Sequence, residues 1–128
     1  MATLELTADN FNATVEQNPI VFLDFWAAWC GPCRNFAPTY EAAAEANPDI
    51  VFGKVDTEAE PGLAAAFGVR AIPTLVVMRD GIVLAEQAGM MPGGALDKII
   101  AKVRALDMDD IRRQISAHDG AEGGAEVG

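Results

Sequence analysis

The run Ile20-Val21-Phe22-Leu23-Asp24-Phe25-Trp26, followed at once by Ala27-Ala28-Trp29-Cys30-Gly31-Pro32-Cys33-Arg34, decides how this chain folds. The first half is apolar apart from one carboxylate, which reads as a central strand buried on both faces. The second half holds both cysteines of the chain, and a helix follows from about Cys33, with Phe36, Tyr40, Ala43 and Ala44 on its inner face. Two thiols three positions apart can share one face of a first helical turn, with Cβ atoms roughly 5–6 Å apart. A disulfide needs Cα atoms about 4.4–6.8 Å apart, so the pair can open and close without unfolding anything.

Upstream, Leu4 and Leu6 alternate with polar neighbours as a short strand would. Thr7 has the character of an N-cap, with Asp9 in the first turn and Leu6 and Phe11 at the spacing of a hydrophobic staple. That predicts a helix of about ten residues ending near Asn18-Pro19. Downstream, Pro38 falls inside the helix and should kink it, and Asn47-Pro48-Asp49 stops it.

Ile50 to Asp56 reads as the next strand, and Glu60 to Phe67 as a short alanine-rich helix closed by Gly68. A strand from Thr74 to Met78, the turn Asp80-Gly81 and a strand from Ile82 to Ala88 form a hairpin. After a loop at Gly89 to Gly94, the spacing of Leu96, Ile99, Ile100, Val103 and Leu106 marks an amphipathic helix. The order βαβαβαββα predicts an α/β fold: a parallel core with helices on both faces, to which the closing hairpin adds antiparallel strands.

Residues 1–106 therefore read as one domain, and 107–117, with Met108, Ile111 and Ile115, as an extra helical segment. Residues 118–128 are mostly Ala, Gly, Glu and Asp, and are expected to be disordered. The net charge is −10, and the last 22 residues supply six acids against two arginines. Such a surface attracts neither nucleic acid nor anionic lipid. The N-terminus lacks the basic and apolar regions of a signal peptide, and no apolar run approaches the ~20 residues of a membrane span. The expectation is a cytoplasmic protein, where a C-x-x-C is catalytic or metal-binding rather than structural.

Cys30 at the strand-to-helix turn should meet free backbone N–H groups and the positive end of a helix dipole, both of which stabilise a thiolate. Cys33, one turn in, should be more buried and keep the higher pKa. Cys30 then attacks a client disulfide and Cys33 resolves the mixed disulfide. Zinc is the other reading of a C-x-x-C, but two cysteines and His118 fall short of about four ligands. Asp24, in an apolar strand, should have a raised pKa and could accept the proton of Cys33 through water, with Lys54 as its charged partner. A strand-end carboxylate capping local backbone is the alternative. Pro32 fixes φ between the cysteines, and Gly31 allows close approach of a client. Pro73, between Ile72 and Thr74, is expected from sequence alone to be trans.

Asp24-Phe25-Trp26-Ala27, Trp29-Cys30-Gly31-Pro32-Cys33, Pro38, Asp56, Ile72-Pro73-Thr74, Gly81 and Gly89 together resemble the thioredoxin family over residues ~1–106. The resemblance implies the thioredoxin fold, with a central mixed five-stranded sheet flanked by helices on both faces. It implies a disulfide reductase with Cys30, Cys33, Asp24 and Lys54 at the reacting centre. It also implies a cis Pro73 facing the cysteines, and an apolar docking surface of Trp29, Gly31, Pro32, Ile72, Pro73 and Gly89, which Met90 extends. A flavin-containing thioredoxin reductase fed by NADPH would supply electrons to a monomer that carries no cofactor or metal, and clients would be disulfide-containing proteins. Arg34 departs from the family's usual lysine with the charge kept, and the segment beyond Leu106 is extra. A thioredoxin-fold binding or chaperone module without redox turnover is the alternative function.

Overall fold

The structure, a computed structural model, describes residues 2–127, with side chains as far as residue 117. Five strands form one sheet in the order β1-β3-β2-β4-β5: β1 (Leu4–Glu5), β2 (Ile20–Trp26), β3 (Val51–Asp56), β4 (Thr74–Arg79) and β5 (Ile82–Ala88). β3 pairs in parallel with β1 and β2, while β4 runs antiparallel to both β2 and β5. The mixed sheet of a parallel core and an antiparallel hairpin is the expected one. Asp80 (φ 54°) and Gly81 (φ 77°) both turn left-handed, as a two-residue hairpin requires.

The period of two along β2 sorts its side chains between two layers. Ile20 and Phe22 face α2 (Gly31–Ala46) and α4 (Gly93–Ala105), where they pack with Phe36, Tyr40, Phe52, Leu96 and Ile100. Val21, Leu23 and Phe25 face the opposite way, toward α1 (Phe11–Gln17) and α3 (Pro61–Ala66), among Phe11, Val15, Leu63 and Phe67. Each such side chain contributes about 1.5–3 kcal/mol when fully buried, so β2, between two cores, anchors the molecule. The same parity puts Asp24 on the α2 side of the sheet. Tyr40 ties α2 to that side, its hydroxyl donating to the Gly53 carbonyl at 2.7 Å. Gly53 has no room for more, since a Cβ there would overlap the Leu6 side chain.

Three local readings are corrected. α1 begins at Phe11, not near Thr7, because Asn10 builds a separate turn: its Oδ1 accepts from the Thr7 N–H at 2.8 Å and its Nδ2 donates to the Glu5 carbonyl. α2 starts at Gly31, earlier than Cys33, because Cys30 itself caps the helix. The Ile72–Pro73 bond is cis, against the trans expectation from the residues alone and in line with the family resemblance.

Past Leu106, α5 (Met108–Val127) follows as a further helix. Asp107 caps it, its carboxylate accepting from the Asp110 N–H at 3.1 Å. Met108 is buried, and Arg112 reaches Asp80 of the hairpin at 3.2 Å. The tail of 118–128, expected to be disordered, lies outside the residues whose side chains are described.

Candidate active site

Cys30 and Cys33 meet where β2 hands over to α2. Cys30 is the N-cap residue in an extended conformation (φ −85°, ψ 111°), and its Sγ accepts the Cys33 N–H at 3.2 Å. One free N–H of the helix start is thus spent on sulfur, at the positive end of the helix dipole. The two cysteines are joined as a disulfide with Cα atoms 5.2 Å apart. They are equally buried, 4% and 3% exposed, which corrects the expectation that Cys33 lies deeper. The difference between them is electrostatic: the capping N–H serves Cys30. Cys30 Sγ also lies 3.7 Å from the Ile72 carbonyl oxygen, which a thiol S–H there can reach.

The cis Ile72–Pro73 bond sets that carbonyl against the cysteines, and the Pro73 carbonyl in turn accepts the Gly89 N–H at 2.8 Å. Gly89 has φ 95°, a value glycine tolerates at little cost. Around the pair, Trp29 is 66% exposed, Pro32 and Gly89 are exposed, and Gly31 and Ile72 are half-buried. Pro73 is buried, so it backs this surface rather than forming its outer face.

Beneath the cysteines, Asp24 is fully buried, and neither of its carboxylate oxygens has a hydrogen-bond partner among the described residues. The alternative of a carboxylate capping local backbone is therefore not what the fold contains. Burial pushes the Asp24 pKa from 3.8 up to about 7, and the positive charge of Lys54 pulls it partway back. Lys54 stands opposite Asp24 in the β2–β3 register, yet its ammonium sits 4.8 Å over the Trp26 ring and makes no ion pair with Asp24. Tyr40, on the same side, has its phenol pKa raised by burial and then by the Asp24 charge.

One residue escaped the sequence reading: Glu58 accepts the Trp29 indole N–H at 2.8 Å. Arg34, read there only as a retained positive charge, donates to the Ala28 carbonyl at 2.8 Å. Glu58 follows the C-terminal end of β3, the edge of the sheet where the cysteines lie. That placement was its one available signal. Among the described residues no cluster of His, Cys, Asp and Glu could hold a metal ion.

The thioredoxin family model matches residues 2–102. A putative thioredoxin 2 from Streptomyces coelicolor is 52% identical over 122 residues, spanning 95% of this chain and 91% of that protein. The Bacillus subtilis thioredoxin is 36% identical over 80% of this chain and 98% of its own length. A solved mutant thioredoxin from Halobacterium salinarum superposes with a TM-score of 0.77 at 34% identity, covering 82% of this chain and 93% of its own. A match over 122 of the 128 residues necessarily runs past Leu106, so the Streptomyces relative extends into the segment beyond it.

Proposed function

The chain belongs to the thioredoxin family, and from that premise we propose how the residues of its site divide the work. Members of the family are disulfide oxidoreductases, and this chain is a protein disulfide reductase acting by dithiol–disulfide exchange through Cys30 and Cys33. The observation that carries the reading is the closed Cys30–Cys33 pair at the first turn of α2, with the Cys33 N–H on Cys30 Sγ.

In the reduced form the Cys30 thiolate attacks one sulfur of a client disulfide, forming a mixed disulfide and releasing the other client sulfur as thiolate. Cys33 then loses its proton to the Asp24 carboxylate, through water, and attacks Cys30 Sγ. The Cys30–Cys33 disulfide forms, and the second client thiolate leaves with the electron pair. Two electrons have passed to the client. Lys54 favours the ionised form of Asp24 and so readies it as acceptor. Trp29, Gly31, Pro32, Ile72 and Gly89, backed by Pro73, form the surface on which clients dock.

The chemistry ends on a disulfide, so each turnover needs a reductant. A flavin-containing thioredoxin reductase drawing on NADPH fits that need, and the chain itself acts through its own cysteine pair. No described helix is long and apolar enough to cross a membrane. A monomer working in the cytoplasm, where such a reductase operates, is the setting we infer. No observation favours a binding module without redox turnover. The test is insulin reduction by dithiothreitol: the chain accelerates it, and a Cys30→Ser/Cys33→Ser double variant does not. Equal rates for the two proteins would refute the reading.

A further inference from the structure

The chain has five methionines, and four are described. Met78, Met91 and Met108 are each 6% exposed or less, while Met90 is 49% exposed. The contrast has a structural cause. Met91 plugs the core between α2 and α4, among Phe36, Tyr40 and Leu96. Residues 90–92 have no regular structure between β5 and α4, and within that segment the Met91 side chain turns into the core while the Met90 side chain stays outside it. Met90 is thereby held out in solvent. The preceding residue, Gly89, donates to the Pro73 carbonyl at 2.8 Å, and the Ile72 carbonyl lies 3.7 Å from Cys30 Sγ. Met90 thus stands at the edge of the surface that Trp29 and Ile72 expose beside the reacting sulfurs.

A thioether is flexible, polarisable and apolar, which suits contact with clients of varied shape. It is also oxidisable. We propose that Met90 is a hydroperoxide-sensitive modification site on the client-docking rim, where oxidation to the sulfoxide weakens docking of apolar client segments. The inference rests on the docking role given above to the surface around Pro73. In the step, a lone pair of the Met90 sulfur attacks the terminal oxygen of a hydroperoxide, the O–O bond breaks, and the alkoxide or hydroxide leaves as alcohol or water after taking the peroxide proton. Sulfur is oxidised by two electrons and the peroxide is reduced by two. The product carries a polar S=O that water solvates and an apolar client surface does not.

The test uses the full chain in its disulfide form, in which both cysteines are bonded and no thiol competes for the oxidant. After hydrogen peroxide treatment, peptide mass spectrometry should place a gain of about 16 Da on Met90 at least about tenfold faster than on Met78, Met91 or Met108. The KM for insulin should then rise about fivefold or more, with kcat within about twofold. A Met90→Leu variant, compared with itself before and after the same treatment, should keep its KM. Oxidation of Met90 no faster than Met91 would overturn the proposal, as would equal shifts of KM in the treated wild type and the treated variant. Failure of the reductase reading would look different: untreated wild type would turn over no insulin at all.

Discussion

Burial of Asp24 on the α2 side of β2 raises its pKa to about 7, so the folded chain keeps a proton there that the unfolded chain releases near the ordinary value of 3.8. The folded state binds the extra proton across this window, and stability falls as pH rises through it. The loss is complete above the folded pKa and amounts to something on the order of 4 kcal/mol. An Asp24→Asn chain has no such proton to lose. Urea melts at about pH 4, 6 and 8 should show wild-type stability declining and the variant flat, with the difference largest at about pH 8. If Asp24 takes the Cys33 proton, the variant should also resolve its mixed disulfide about tenfold or more slowly near pH 7, read by stopped-flow. A flat wild-type profile would mean that the carboxylate finds a partner in solution. The apolar neighbours of Asp24 are adjacent in sequence, which is why its burial was legible there. The lack of an ion pair with Lys54 was not, since register brings the two residues together but rotamers decide whether they touch.

At the scale of elements, strand β2 was readable from its nearly continuous apolar run and the helix after it from the spacing of Phe36, Tyr40, Ala43 and Ala44, and β4–β5 from the turn Asp80-Gly81. What escaped were the ends, where a single side chain outweighs periodicity. Asn10 delays α1, and Cys30 starts α2 early by capping it. A third case is Arg79, whose guanidinium donates to the Val103 carbonyl at 2.8 Å and the Leu106 carbonyl at 3.0 Å. These carbonyls end α4 without intrahelical donors, so the charge meets both the orphan acceptors and the negative end of the helix dipole. An Arg79→Ala chain should lose about 1–3 kcal/mol in urea unfolding while reducing insulin at the wild-type rate. Arg79 and Leu106 are 27 residues apart, so no local pattern announces the contact.

Across the whole molecule, the weakening pattern beyond Leu106 concealed how the extra segment attaches. Met108 is buried and Arg112 reaches Asp80, so the start of α5 is part of the fold. The ion pair is exposed and worth little, about 0–1 kcal/mol. Met108 carries the attachment, and a Met108→Ala chain should unfold about 2 kcal/mol more easily with turnover unchanged. An unchanged melt would detach α5 from the domain.

The architecture converges on one asymmetry: a strand buried on both faces delivers Cys30 to a helix start, where the Cys33 N–H caps its sulfur. On that asymmetry we propose Cys30 as the attacking sulfur and Cys33 as the resolving one. The direct measurement is to mix Cys33→Ser and Cys30→Ser chains separately with a disulfide client and follow covalent adducts by mass. Cys33→Ser should accumulate a dithiothreitol-sensitive mixed disulfide through Cys30, and Cys30→Ser should accumulate almost none. Adducts forming through Cys33 as fast as through Cys30 would contradict the account.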